Sequence, residues 1–361
     1  MLLKHLELRN YRNYARVELD PSPGLNLFLG ANGQGKTNLL EAVALLALSA
    51  SPRAGRDAEL IGDLASEARV QAQVESGGRL LEIRIDFVAD GNRTRRRIEV
   101  DGQPRRALDL PGVFRVTLFW PDDLDLIKAG PEHRRRLLNQ LLVQVRPGYA
   151  RTLARYARTL EQRNRLLKQV AVGEQPEDSL DVWDIQLVAL GEELRAAREE
   201  TVASLAPLAS AAHSAISGGE LLEISYVGTE LELAQALAVA RRDDLRRGVS
   251  TVGPHRDDVH FVLEGREARA YASQGQQRSA VVSVKLAEAQ VIAELTGETP
   301  VLLLDDVLSE LDADRRRELL RRLLEPGQVI VTSVEAEPFP PALVALARVL
   351  CIDRGKLLHC A

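Results

Sequence analysis

Residues Gly30–Thr37 read Gly-Ala-Asn-Gly-Gln-Gly-Lys-Thr, which fits the pattern Gly-x-x-x-x-Gly-Lys-Ser/Thr at every fixed position. Each fixed residue has a physical task. Gly30, Gly33 and Gly35 carry no Cβ, so the backbone can adopt positive φ and turn its N–H groups toward phosphate oxygens. Ala31, Asn32 and Gln34 complete the loop, Lys36 brings an ammonium group to the β- and γ-phosphates, and Thr37 offers a hydroxyl to magnesium. The flanks supply the context the pattern needs. Leu25–Leu29 is a short apolar run suited to a buried strand, and Asn38–Leu46 is rich in helix formers. The loop thus closes on a helix N-terminus, whose dipole favours anions. The stretch predicts an α/β nucleoside-triphosphate-binding fold.

Working outward, 361 residues suffice for one large domain or two ordinary ones, and 45% hydrophobic with 27% charged residues is a globular composition. No apolar run is long enough for a membrane span, and charges interrupt the first residues, so a cytoplasmic location and no membrane partner are expected. In that setting Cys351 and Cys360 are expected to be unpaired thiols. A net charge of -5 argues against indiscriminate polyanion binding, while abundant arginine leaves room for local basic patches. Aromatic residues at 4% are too few for base stacking to dominate, so a DNA partner would be held chiefly through phosphates.

Residues 1–20 alternate in two short strands, and a meander with turns at Gly77-Gly78, Asp90-Gly91-Asn92 and Asp101-Gly102 follows over 68–102. Arg93–Arg97 is the densest basic tract, either a solvated strand face or a phosphate-contacting edge. Val113–Trp120 reads as a further strand. Residues 131–217 carry helical spacing broken at Pro147-Gly148 and near 172–176, which predicts two antiparallel arms, the first shortened by the proline. Basic clusters on them, such as Arg134-Arg135-Arg136, are expected to be solvated. Leu222–Val227 and His260–Leu263 return to strands, Leu286–Leu295 to helix, and Val301–Leu304 to a buried parallel strand, before strands at Val329–Thr332 and Val349–Ile352.

That buried strand ends in Asp305-Asp306. The first carboxylate is placed to hold magnesium and the second to act on the attacking water. Ser273-Gln274-Gly275-Gln276-Gln277 stands two residues before a helix and could grip a γ-phosphate from a second subunit. Ser309 and Asp312, in Ser-Glu-Leu-Asp, would lie across that interface. Arg12, Arg53 and Arg56 are the candidates to sense the γ-phosphate.

The order of these motifs, with Leu8–Tyr14 and Gly253-Pro254-His255-Arg256-Asp257-Asp258, resembles the ATP-binding-cassette superfamily and, more narrowly, the bacterial RecF family. The resemblance implies an α/β ATPase head with a mixed-sheet lobe (1–120 and 250–361) and a mainly helical second lobe (121–249) with short antiparallel arms. It implies ATP and Mg²⁺ as cofactors, with Lys36, Thr37 and Asp305 on phosphate and metal and Ser273 and Gly275 acting in trans. It further implies an ATP-dependent homodimer on DNA (single-stranded, gapped or duplex), RecR as partner, recombinase loading, and roles in replication, the SOS response and repair. Asp306 stands where such ATPases usually carry glutamate, and its shorter side chain predicts slow, DNA-dependent hydrolysis. The usual histidine after the next strand is absent, and a hydroxyl of Thr332 or Ser333 could substitute. No glutamine-loop equivalent is legible. A transporter ATPase subunit is the alternative. Chromosome-organising heads would need far longer heptad repeats.

Overall fold

A computed structural model describes residues 1–91, 93–307, 313–323 and 327–360. The chain opens with β1 (Leu2–Tyr11), β2 (Tyr14–Leu19) and β3 (Leu25–Leu29), and β3 runs through the glycine-rich loop into α1 (Lys36–Leu48). A meander of β4 (Glu67–Ser76), β5 (Arg79–Asp90), β6 (Arg93–Val100) and β7 (Gln103–Arg105) follows. Beyond β8 (Val116–Phe119) come α2 (Asp125–Lys128), α3 (Pro131–Val145), α4 (Tyr149–Ala171) and α5 (Asp181–Ser217). Then β9 (Leu222–Val227), α6 (Leu233–Arg247), β10 (Asp258–Leu263), β11 (Arg266–Glu267), α7 (Ala268–Tyr271) and α8 (Gln274–Thr296) lead back. The last elements are β12 (Val301–Asp305), α9 (Ala313–Leu323), β13 (Val329–Ser333), α10 (Pro341–Leu346), β14 (Arg348–Asp353) and β15 (Lys356–His359).

Three sheets result. One is antiparallel, in the order β2-β1-β4-β5-β6-β7, and buries alternate residues such as Val70, Ala72 and Val74 against α1. The second, β15-β14-β3-β13-β12-β8, is parallel apart from β15. Its central strands β3, β13 and β12 are buried along almost their whole length and mostly apolar, as strands covered on both faces must be. The third, β11-β10-β9, packs with α3, α5 and α8 around Val259, Phe261 and Val284. α5 has 37 residues, about 55 Å of helix. α4 runs antiparallel to it, since Thr152 reaches Glu193 while Arg163 reaches Asp184. The other arm is split between α3 and α4 by Arg146–Gly148, where Pro147 cannot continue the helix.

Two expectations fail here. Arg134 is not solvated: it is buried, bonds Asp258 through Nε at 2.6 Å and Nη2 at 2.9 Å, and donates to the Leu126 carbonyl. A helix face that packs on a strand can hold a guanidinium when every donor finds an oxygen. The cysteines are not free thiols. Cys351 on β14 and Cys360 just past β15 face each other in the hairpin with Cα atoms 5.2 Å apart and form a disulfide.

Candidate nucleotide site

The parallel sheet places the site. β3 and β12 both end at the same edge with β13 between them, and helix-bound loops leave from that edge. Gly30 N donates to the Ser333 carbonyl and Asp306 N to the Thr332 carbonyl, so β13 anchors the loops on either side of it. Gly33 and Gly35 have φ of 78° and 117°, as the loop requires. Gly30 is different: its φ is not positive. A Cβ there would overlap the Ile352 carbonyl of β14, so its glycine is a packing requirement rather than a conformational one. A Cβ on Gly35 would come within 2.6 Å of Asn13 Nδ2 and 3.0 Å of the Tyr14 hydroxyl.

Those two neighbours show what holds the loop in shape. Asn13 Nδ2 donates to the Gln34 carbonyl at 2.9 Å, and the Tyr14 hydroxyl donates to the Gly35 carbonyl at 2.9 Å. From the other side Gly355 N donates to the Gln34 carbonyl and Arg354 N to Gln34 Oε1. The β1–β2 and β14–β15 turns thus grip the loop between them. Beneath it, Glu41 of α1 is fully buried and accepts from Arg12 Nη2 at 2.7 Å and Nε at 3.0 Å. Arg12 is committed to this pair and to the Glu59 carbonyl.

Lys36 Nζ donates to the Gly30 and Ala31 carbonyls. Burial lowers its pKa, opposed by the carboxylates of Asp306 and Asp305. Thr37 Oγ1 donates toward both oxygens of Asp305, at 2.9 and 3.1 Å. Asp305 is buried and also accepts from Thr332 Oγ1 at 2.7 Å. That hydroxyl, proposed as a stand-in for the missing histidine, is therefore turned onto Asp305. Asp306 takes up a left-handed φ of 52°, uncommon outside glycine. Asn32, Gly33, Gly35, Lys36, Thr37, Asn38, Arg53, Pro121, Asp305 and Asp306 line one cleft of about 390 Å³.

Among the arginine candidates, Arg53 lines this cleft, bonds Asn38 Oδ1 at 3.1 Å and stands 6.0 Å from the Trp120 ring centre. Arg56 is exposed and outside the described lining. Pro121, just beyond β8, is a cleft residue that sequence reasoning missed. Its turn is closed by Trp120 N donating to Asp123 Oδ2 at 2.7 Å, beside the buried Lys285–Glu288 pair of α8. Trp120–Asp123 is thus the segment that meets the cleft where no glutamine loop was legible.

Ser273 does not precede the next helix by two residues; it is the N-cap of α8, and Gln274–Gln277 are its first turn. Ser273 Oγ accepts from Gln276 N while Gln276 Oε1 accepts from Ser273 N. This reciprocal cap was readable as Ser-x-x-Gln, and it extends the helix well before Leu286. Gly275 faces Arg315, where a Cβ would lie 2.7 Å from Nη1. None of Ser273–Gln277 lines the nucleotide cleft. Ser309 and Asp312 fall outside the described residues. The Arg93–Arg97 tract is largely paired within the chain: Arg95 with Asp90 and Arg97 with Glu99 of its own sheet, and Arg96 with Asp57 in the short turn after α1. No helix among the described residues is long and apolar enough to cross a membrane.

The oxygen donors of Thr37 and Asp305 suit a small hard cation such as magnesium, and the glycine loop suits a polyphosphate. Comparison with known proteins agrees with this chemistry. The RecF/RecN/SMC N-terminal domain family matches residues 2–355. The DNA replication and repair protein RecF of Moorella thermoacetica is 40% identical over 357 residues, 98% of this chain and 95% of that one. Its counterpart in Synechocystis is 41% identical over 377 residues, 99% and 98% of the two chains. The recombination mediator protein RecF with ATP, of the RecFOR pathway, has the same fold at a TM-score of 0.89 and 32% identity, over 99% of this chain and 97% of that one. An Smc head bound to the C-terminal winged-helix domain of ScpA matches at 0.60 and 16% identity, a likeness of fold alone. The expected α/β ATPase-head fold is the one found, and the chain belongs to the RecF family of DNA replication and repair proteins.

Proposed function

We propose that this protein is an ATP-driven DNA clamp: two chains close on two ATP molecules, hold DNA, and reopen after slow hydrolysis. The observation that carries this reading is the meeting of Lys36, Thr37 and Asp305 in one cleft, with Thr37 Oγ1 2.9 Å from the carboxylate. Lys36 would neutralise the β- and γ-phosphates, backbone N–H groups of Asn32–Lys36 would cradle them, and Arg53 is the arginine placed to approach the terminal phosphate. Magnesium, held by Thr37 and Asp305, would supply charge neutralisation at the phosphates. Asp306 would orient and deprotonate the attacking water, its short side chain limiting the rate.

Ser273 and Gly275 lie away from the cleft of their own chain, which supports their use by a second copy. In this reading 1–120 with 250–361 is the ATPase lobe and 121–249 the helical lobe, β10 of the first pairing with β9 of the second. The related recombination mediator protein RecF, with ATP bound, belongs to the RecFOR pathway. By kinship we assign this chain DNA (single-stranded, gapped or duplex), RecR as partner, recombinase loading, a weak DNA-dependent ATPase activity, a part in the SOS response and a cytoplasmic place of work. Membership of the RecF family leaves the transporter-subunit alternative without support. The test is Asp306→Asn, assayed for phosphate release and for gapped-DNA binding with ATP. Hydrolysis is expected to stop while ATP-dependent DNA binding persists and outlasts that of the parent. Undiminished hydrolysis would remove Asp306 from its role, and DNA binding indifferent to ATP would remove the clamp.

A further inference from the structure

α4 carries a charge pattern that its packing does not require. It buries Thr152, Tyr156, Thr159, Arg163 and Leu167, the faces that meet α5 and its neighbours. An edge about 120° round from that face presents Arg151, Arg155, Arg158, Gln162 and Arg165, all exposed. At 3.6 residues per turn these positions fall within a fan of about 80°, and they span about 21 Å of helix. Glu161, exposed on the same helix, flanks the row about 40° round from Arg165 and stands three and four residues from Arg158 and Arg165, so it tempers that end of the row. Among the described residues Arg155, Arg158 and Arg165 have no ion-pair or hydrogen-bond partner, whereas most other arginines discussed above do.

The stripe does not end at the helix. Arg151 lines a cleft of about 410 Å³ together with Arg105, Arg115, Arg146 and the Gly148 backbone. Three carboxylates temper this mouth: Asp109 accepts from Arg151 at 2.6 Å, Glu200 pairs with Arg146, and Glu298 pairs with Arg115. Arg105 has no such partner among the described residues. The cleft also receives the N-terminal end of a 23-residue helix with no acidic residue in its first turn, which adds to the positive potential.

We propose that this edge, from Arg105 and Arg151 along Arg155 and Arg158 to Arg165, is a track for the phosphate backbone of duplex DNA. The proposal rests on the DNA-binding reading above and names the surface that reading leaves open. Duplex is favoured over single strand because the edge offers guanidinium groups in a straight rigid row and no aromatic platform: Tyr149 and Tyr156 of α4 are both buried. With a net charge of -5, polyanion binding must rest on local basic rows such as this one rather than on the chain's overall charge.

The test is anisotropy of a dye-labelled duplex titrated with the full-length protein at several salt concentrations. The variants are the triple Arg155→Gln, Arg158→Gln, Arg165→Gln and the matching triple Arg→Lys. Glutamine keeps helix propensity, and circular dichroism checks the fold. Loss of three phosphate contacts is expected to lower affinity by about tenfold or more near 50 mM salt, and to make the log–log salt slope shallower by about 2–3. The lysine triple is expected to restore most of both. A glutamine triple that binds duplex like the parent, with the same slope, overturns the track and leaves DNA binding to another surface. If it keeps duplex binding but loses affinity for poly-L-glutamate, the stripe belongs to an acidic protein partner and the DNA assignment is overturned. A parent protein that binds no DNA at low salt, with or without ATP, overturns the clamp reading itself and the track with it.

Discussion

The nucleotide cleft and the helical region hold charged side chains in opposite ways. In the cleft, Lys36 bonds carbonyls five and six residues away, and the residues that would face the phosphates are consecutive in the chain. In the helical region Arg163 is fully buried in α4 and reaches Asp184, Asp244 and Ser250, between 21 and 87 residues distant. Asp244 is itself fully buried and accepts from Thr251 as well. One region is written locally, so its chemistry survives in a short motif. The other exists only where α4, α5, α6 and the following loop meet, and each partner there depends on all the others being in place.

The largest effect is expected in the helical region. Arg163→Met leaves the buried Asp244 carboxylate unpaired and should cost about 3–5 kcal/mol in urea unfolding. Nucleotide affinity per folded molecule should be unchanged. A loss below about 1 kcal/mol would show that the network relaxes or admits water, and the contrast between the regions would weaken.

Thr37→Val should do the reverse. It removes the hydroxyl facing Asp305 and is expected to cost about 2–3 kcal/mol of magnesium-dependent nucleotide binding, read by titration calorimetry, with little change in unfolding. Gly30→Ala lies between the two. Its Cβ meets the rigid Ile352 carbonyl, so about 1–3 kcal/mol of stability should be lost together with loop geometry. Equal nucleotide affinity in the Gly30→Ala protein would show that the β14 contact does not shape the loop.

The smallest effect concerns pH. Burial lowers the pKa values of His213 and His255 below their ordinary 6.5, so folding favours the neutral form of each. The unfolded chain then binds more protons below about pH 6.5, and stability present above that value drains away as the pH falls. Denaturation midpoints at about pH 7 and pH 5.5 should differ in that direction, and His255→Gln should reduce the difference. A midpoint that rises on acidification would contradict both burials.

How much of this was legible follows the same division. The β3–loop–α1 unit, the antiparallel meander and the apolar strand ending in Asp305 were readable because period, turn residues and motif are local signals. Gly30 was read correctly as glycine but for the wrong reason, since Ile352 lies 322 positions away in the chain and nothing near Gly30 announces it. Asn13 and Tyr14 were quoted as part of a resemblance, yet their grip on Gln34 and Gly35 depends on a turn folding back over the loop. Arg134 looks on paper like its neighbours in a basic triplet, and only the register of α3 against β10 buries it. The disulfide likewise needed the β14–β15 register, because compartment arguments cannot see geometry.

The composite site is the claim on which the account turns. Sedimentation velocity of the purified protein with magnesium and either ATP or ADP, run beside Ser273→Arg, tests it most directly. The account predicts a monomer in ADP, a dimer in ATP, and a Ser273→Arg protein that binds ATP yet stays monomeric. Sedimentation unaltered by ATP, or a Ser273→Arg chain that dimerises like the parent, would contradict it.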